Sequence, residues 1–373
     1  MDSATFQTSG SNSLLRIDLD AIARNYQALQ QRSGSAMCAG VVKANAYGLG
    51  IEEVANRLWA AGCRFFFVAT LDEAIELRSH LDDAQIAVLS CYTQGSEVEM
   101  ITHRIIPVLN DPGDLHRWRS ASRAAARKLP AILHVDTGMS RLGLTPDQFD
   151  EVAEDPEALK GFDLRFVMSH LASADVEETE QNQQQLSAFR SVMEKLPETR
   201  ASFANSAGIF RGAEYIFDLT RPGMALYGLN PTPWTDNPMT PVVRLSARIL
   251  QVRDIPAGTP VGYGASWVAE RDSKIATLGL GYADGFIRQG GNSGHVPFGD
   301  LKAPIVGRIS MDLTGVDVTD IPFDACRTGD YVEIIGPHRS VDDVATDHGT
   351  IGYEILTSLG NRYKRVYEGA TTS

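Results

Sequence analysis

The sequence predicts an α/β protein of two parts: an N-terminal (β/α)8 barrel of the TIM type over residues 14–235, then a mostly β domain over 241–373, with residues 1–13 flexible or packed beside it. Three observations lead there. Short apolar runs alternate with helical patterns from Leu14 to Gly228; Pro231, Pro233 and Pro238 then interrupt a polar stretch; and beyond Thr240 the apolar segments are short, β-branched and bounded by glycine and proline. A chain of 373 residues is long enough to bury two cores. An open doubly wound sheet is the alternative for the first part, but no Gly-x-Gly-x-x-Gly follows its first strand candidate.

In chain order, the barrel strand candidates are residues 15–18, 37–43, 65–69, 86–90, 105–109, 132–136, 165–169 and 201–205, with 215–219 as a further run. Helical periodicity fills 51–61, 71–81, 115–129 and 184–196, and Thr70 with Glu73 three residues on reads as a capping box. In the second domain the strand candidates are 243–252, 274–280, 303–306 and 331–335, and 341–359 is expected to be helical.

A formal net charge of −13 and a pI near 5.1 argue against the basic surface that nucleic acid or an anionic membrane demands, and favour a small-molecule ligand. The first thirteen residues are polar, with no basic start leading into an apolar core, so neither secretion nor membrane anchoring is expected and the cytoplasm is the expected compartment. Cys38, Cys63, Cys91 and Cys326 lie far apart, which fits reduced, buried thiols rather than a disulfide frame or a zinc site. No metal is expected.

Chemistry in a parallel barrel gathers on the loops after the carboxyl ends of its strands. Lys43 closes the second strand candidate, within Val42-Lys43-Ala44-Asn45-Ala46-Tyr47-Gly48-Leu49-Gly50. A solvated surface charge is the ordinary reading of a lysine. Small apolar neighbours favour instead a partly buried ammonium that loses its proton easily, as a Schiff base with an aldehyde requires. The Gly-Lys-Ser/Thr order of a nucleotide phosphate loop is missing. Further polar clusters follow later candidates: Asp136 to Arg141, His170, Asn205-Ser206, and Arg221-Pro222-Gly223. Each has a plain structural reading as a turn, a packed histidine or a helix cap. Together on one rim they offer an arginine that can fork onto a carboxylate and a hydroxyl with N–H groups suited to phosphate.

The stretch around Lys43 resembles the cofactor-lysine motif of the alanine racemases. The resemblance runs from about Ile17 to Tyr367 and takes in, in order, Asp136-Thr137-Gly138-Met139-x-Arg141-Leu142-Gly143, Ser169-His170-Leu171, Arg221-Pro222-Gly223-Met224, Gly262-Tyr263-Gly264, Gly281-Tyr282-Ala283-Asp284 and Ser310-Met311-Asp312. It implies interconversion of L- and D-alanine, by a two-base mechanism, on pyridoxal 5'-phosphate held by Lys43 as an aldimine, with D-alanine going to peptidoglycan. Lys43 and Tyr263 would exchange protons on opposite faces of the substrate. Tyr47, His170, Ser206, Arg221, Gly223 and Met224 would hold the cofactor, Arg141 and the Met311 backbone the substrate carboxylate, and Tyr282 would line the entrance with Asp312 beside Met311. In the family the tyrosine and the two later motifs serve the other subunit's site, which implies a head-to-tail homodimer with composite sites.

Arg221 is the residue from which the resemblance draws the reaction type. Many pyridoxal enzymes place a carboxylate at the pyridine nitrogen; an arginine cannot accept that nitrogen's proton, so the carbanion is less delocalised and reprotonates at the α-carbon. A phenol ordinarily titrates near about 10, and charge on Arg221, relayed through His170, is expected to help Tyr263 act as base. Two positions depart from the family. His134 stands where many members carry a lysine whose carbamate orients the arginine, and a histidine cannot form one. Asn361 aligns with a tyrosine that crowds the substrate methyl in some members, so room for a hydroxymethyl group, and serine racemisation, are expected. The rival readings are a broad-specificity racemase, a pyridoxal-phosphate decarboxylase on a similar plan, against which Arg221 argues, and a non-catalytic cofactor-binding barrel, which would need neither Tyr263 nor Met311.

Overall fold

The computed structural model describes residues 10–369 apart from Cys91, Tyr92, Gln94, Pro156 and Pro197, so the expectations for residues 1–9, for 370–373 and for Cys91 lie outside the described residues. The chain forms two compact units, one spanning Ala21–Thr240 and the other built from the segments up to Asp20 and from Pro241 onward.

One expectation is corrected at the first element. Strand β1, Ser13–Asp18, was expected in the barrel, but it pairs antiparallel with Val243–Ile255 and parallel with Lys364–Glu368, in the sheet of the other unit. Its buried Leu14, Leu15 and Ile17 supply the apolar run that any strand would show. The partners lie more than two hundred residues away in sequence, beyond the reach of local periodicity.

The barrel unit contains β2 (Met37–Cys38), β3 (Gly40–Val41), β4 (Phe65–Val68), β5 (Gln85–Val88), β6 (Ile105–Leu109), β7 (Pro130–His134), β8 (Asp163–Met168), β9 (Ala201–Asn205) and β10 (Leu219–Arg221). They form one sheet in the order β2-β10-β9-β8-β7-β6-β5-β4-β3, every ladder parallel. Its two ends, β2 and β3, are halves of one stretch broken at Ala39, so the sheet curls into a nearly closed barrel. Ala39 and Val41 N–H bond the Thr220 and Pro222 carbonyls at 2.9 and 3.1 Å, while Val42 N–H bonds Phe67 O at 2.9 Å on the other side. All of Phe65 to Val68 is buried, as a strand covered on both faces requires.

The capping box at Thr70 starts the helix Leu71–His80 as expected. The helix expected over 115–129 is Pro112–Ala124: Asp111 accepts the Asp114 N–H, and proline fits the first turn, where no donor is needed. The last barrel run also shifts. Residues 213–215 form a 3-10 turn, and the strand itself is Leu219–Arg221.

In the second unit, β11 (Val243–Ile255) is the spine of a sheet with β14 (Ser273–Leu278), β17 (Thr314–Asp317), β18 (Tyr331–Ile335) and β19 (Lys364–Glu368) around β1. Two small hairpins pair β12 (Pro260–Val261) with β13 (Trp267–Val268), and β15 (His295–Phe298) with β16 (Leu301–Pro304). The helices Val341–Asp347 and Gly352–Ser358 occupy the stretch expected to be helical. Residues just ahead of β1 pack on this unit, with Arg248 N–H donating to Asn12 O at 2.7 Å. Cys38, Cys63 and Cys326 are buried free thiols. Among the described residues no helix is long and apolar enough to cross a membrane, and no cluster of His, Cys, Asp or Glu is placed to hold a metal.

Candidate active site

Lys43 is half-buried, two residues past the end of β3. After it Ala44, Asn45, Ala46 and Tyr47 all take left-handed backbone, with φ of 54, 54, 52 and 55°. For residues with a Cβ this conformation costs roughly 1–2 kcal/mol each, so surrounding bonds must offset it. Ala46 N–H bonds Val42 O at 2.9 Å, Gly48 N–H bonds Ala44 O at 2.8 Å, and Gly50 N–H bonds Asn45 O at 3.0 Å. Asn45 Oδ1 takes the Ile51 N–H at 2.8 Å, and Glu73 Oε1 takes the Ala44 N–H at 2.7 Å. Alanines carry no local signal of positive φ, so only Gly48 and Gly50 mark this turn in the sequence. Burial lowers the Lys43 pKa, the charge of Arg141 lowers it further, and Glu73 opposes both.

At the end of β10, Arg221 is 3% exposed. Its Nη1 donates to Ser202 Oγ at 2.5 Å and its Nη2 to Ser169 O at 2.6 Å. Nη2 also lies 3.3 Å from His170 Nδ1. An arginine only donates, so Nδ1 accepts and the His170 proton sits on Nε2. Burial, then the charges of Arg221 and Arg141, drive His170 well below the ordinary histidine range and keep it neutral. Burial brings Arg221 down to about 9, which leaves it cationic at neutral pH.

His134 ends β7 and is also buried. Its Nδ1 is 2.7 Å from Asn110 Oδ1, while Asn110 Nδ2 donates to Leu89 O at 3.2 Å and Val108 O at 3.0 Å. Those two bonds turn the amide oxygen toward the ring, so His134 Nδ1 carries the proton. Burial, then Arg221, lower its pKa to about 4. Arg141 lies exposed on the next turn, where Asp136 gathers the Gly138 and Met139 N–H groups, each at 2.9 Å, and that of Ser140 at 3.0 Å.

Ser206, Gly223 and Tyr47 converge. Ser206 Oγ accepts the Gly223 N–H at 2.9 Å and the Ala225 N–H at 3.3 Å, capping the 3-10 turn Met224–Tyr227. A Cβ on Gly223 would fall 2.3 Å from Tyr47 Oη, so only glycine admits this approach. The Tyr47 ring is steadied by stacking on Tyr227, centroids 4.5 Å apart. The structure thus brings together Lys43, Tyr47, Arg141, His170, Ser206, Arg221, Gly223 and Met224 within the barrel unit.

The remaining candidates belong to the other unit. Tyr263 begins a 3-10 turn between Gly262 and Gly264, whose φ values are 75 and 72°, and is 73% exposed. It borders a cavity of about 430 Å³ lined also by Val261, Ile275, Val306, Arg308 and Leu313. Tyr282 N–H donates to Ser310 O at 3.0 Å and Ala283 N–H to Met311 O at 2.9 Å, which sets Tyr282 beside Met311. Arg362 joins Asp284 at 3.3 Å and Asp312 at 2.8 Å, holding exposed Asn361 next to that pair of loops.

Two family models match the chain: "Alanine racemase, N-terminal domain" over residues 17–231 and "Alanine racemase, C-terminal domain" over residues 242–367. The alanine racemase of Rhodospirillum rubrum is 49% identical over 361 residues, 96% of each chain. The catabolic alanine racemase of Mesorhizobium japonicum is 46% identical over 362 residues, 97% of this chain and 94% of that one. This chain belongs to the alanine racemase family. A crystal structure of the alanine racemase from Bartonella henselae, described as having covalently bound pyridoxal phosphate, superposes with a TM-score of 0.93 at 43% identity, covering 96% of this chain and all of that one.

Membership in the alanine racemase family accounts for the motifs, but not for the supports that the sequence left unread. Gln185, fully buried in the helix Glu180–Lys195, accepts the Ala172 N–H and donates to His170 O, each at 2.9 Å, and its Nε2 lies 3.4 Å from Thr137 Oγ1. It thereby ties the Arg141 turn to the His170 loop, and a glutamine inside a helix gives no such signal. Asn110, Ser202 and the carbonyl of Ser169 were missed likewise. For Glu73 a signal existed, since the capping box was legible, but its second bond was not.

Proposed function

We propose that the protein is a pyridoxal-phosphate-dependent alanine racemase, interconverting L- and D-alanine in the cytoplasm and supplying D-alanine for peptidoglycan. The observation that carries this reading is a cationic guanidinium, Arg221, fixed inside the barrel against a neutral His170, in one cluster with a lysine of lowered pKa. The residues fit the cofactor. Lys43 offers an amine that is easily deprotonated, Ser206 with the Gly223 and Met224 backbone and Tyr47 offers a cradle for phosphate that a Cβ would fill, and Arg221 offers a donor where other pyridoxal enzymes place a carboxylate.

When bound, the cofactor supplies electron withdrawal from the substrate's α-carbon. The chain's own groups do the rest. Lys43 Nζ takes or returns the α-proton on one face, and Tyr263 Oη does so on the other, one acting as base while the other acts as acid. Arg141 and the Met311 backbone orient the substrate carboxylate, and Tyr282 and Asp312 border the entrance. His170, whose Nδ1 accepts from Arg221, passes the influence of Arg221 toward the Tyr263 hydroxyl through its Nε2–H. Tyr263, Tyr282 and Met311 are 73%, 41% and 54% exposed, which suits a surface covered by a second copy. We therefore read the active protein as a homodimer with composite sites.

The test follows L-alanine in deuterated water by chirality, α-deuteration and pyruvate together. Loss of optical activity with deuteration and no pyruvate is expected; carbon dioxide release or an inert protein would refute the reading. In the same assay Arg221→Glu lowers racemisation roughly a hundredfold and raises the share of turnovers ending in pyruvate, because a carboxylate favours a protonated pyridine. Unchanged partitioning would remove Arg221 from its role. Serine is a second substrate on this reading, favoured by the short, exposed side chain of Asn361 beside the Tyr282 and Met311 loops. Asn361→Tyr lowers the serine-to-alanine turnover ratio about tenfold; an unaltered ratio would sink the idea.

A further inference from the structure

We propose that Glu73 is a positioning residue, whose carboxylate locks the left-handed turn behind Lys43 to the end of the neighbouring strand. The proposal rests on Lys43 being the cofactor lysine. Glu73 sits at the third position of the helix Leu71–His80, where a capping box calls for one bond, donated by the Thr70 N–H to the Glu73 side chain. Here the carboxylate does more. Oε2 accepts the Ala69 N–H at 2.7 Å and the Thr70 N–H at 3.3 Å, while Oε1 accepts the Ala44 N–H at 2.7 Å. The first two donors lie just past β4 and the third belongs to the peptide that leaves Lys43.

Within the turn the ladder begins with Ala46 N–H on Val42 O, so the Ala44 N–H has no acceptor of its own there. Glu73 supplies it. Rotation of the Lys43–Ala44 peptide would swing the lysine stem, and that peptide is the one the carboxylate holds. The following residues gain nothing from glycine-like freedom, since Ala44, Asn45, Ala46 and Tyr47 all carry a Cβ at positive φ. An anchor at the start of the run is therefore where such a turn is most easily released.

Only an ionised carboxylate can serve three donors at once, because it accepts and never donates. A glutamine would keep one accepting oxygen and turn an NH2 toward the remaining N–H groups. The negative charge of Glu73 has a second effect at the same place, opposing the fall in the Lys43 pKa caused by burial and Arg141. Loss of the charge thus leaves Lys43 titrating lower than in the unaltered protein.

Hydrogen exchange on the holoenzyme, read by mass on peptides covering residues 43–50, tests the idea, with the helix Glu180–Lys195 as internal reference. In Glu73→Gln the 43–50 amides are expected to exchange at least about tenfold faster while the reference does not change. The kcat for alanine falls with little change in KM, and its acid limb moves to lower pH. Thr70→Ala removes the helix cap but leaves the carboxylate in place, and is expected to leave 43–50 protected. Unchanged exchange in Glu73→Gln, an equal rise in both segments, or the same rise in Thr70→Ala would each overturn the proposal. Borohydride treatment of the unaltered holoenzyme separates this from the parent reading: no cofactor adduct at Lys43 would sink the lysine assignment and leave the exchange result standing.

Discussion

Tyr263→Phe racemises alanine roughly a thousandfold more slowly than the unaltered protein, in both directions. The change removes one oxygen from a side chain that is 73% exposed, so the fold has little to lose, and the melting temperature should not move. The two directions diverge in isotope behaviour. With only Lys43 left to carry protons, exchange of the α-hydrogen of one enantiomer with solvent continues while its inversion nearly stops. The composite sites proposed above would add a sharper outcome. Tyr263→Phe subunits mixed and re-dimerised with Lys43→Ala subunits give mixed dimers in which one site is intact, and activity returns to about a quarter of the unaltered value. Mixing that restores nothing would place both residues of a site on one subunit and dismiss the composite arrangement.

Lys43→Ala has the larger effect, on the order of a ten-thousandfold loss of turnover, because attachment of the cofactor and one of the two proton carriers vanish together. The backbone should tolerate it. Lys43 precedes the left-handed run rather than joining it, and the turn's bonds run through Val42, Ala44, Asn45 and Glu73. Added methylamine should recover part of the rate by standing in for the missing amine, whereas retention of more than about a hundredth of the activity without it would exclude Lys43 as the base.

Much of this was legible in the sequence because barrel strands announce themselves locally. Runs such as Phe65–Val68 are apolar on both faces, and the residues that follow them are polar, so the rim could be listed in order before any pairing was known. The motif around Lys43 was equally local. What could not be read was whatever depends on distant partners or on backbone sign. The allegiance of Ser13–Asp18 is set by strands far along the chain, the positive φ of Ala44 and Ala46 is imposed by surrounding bonds, and the Glu73 bond to Ala44 spans two strand ends. The bond by which Asn110, just past β6, orients the His134 ring at the end of β7 was equally hidden, since it joins two strand ends.

The pairing of β1 sets an order of events during synthesis. Leu14 leaves the ribosome early, but its partners are Ser246 on β11 and Lys364 on β19. At ordinary translation speed the wait for the second partner is on the order of tens of seconds, while the strands of the barrel unit, ending at Arg221, are complete well before. For that interval an apolar segment with an open edge must be kept from pairing elsewhere. Nascent chains stalled before β11 has emerged, with both edges of β1 open, are therefore the ones most in need of a chaperone.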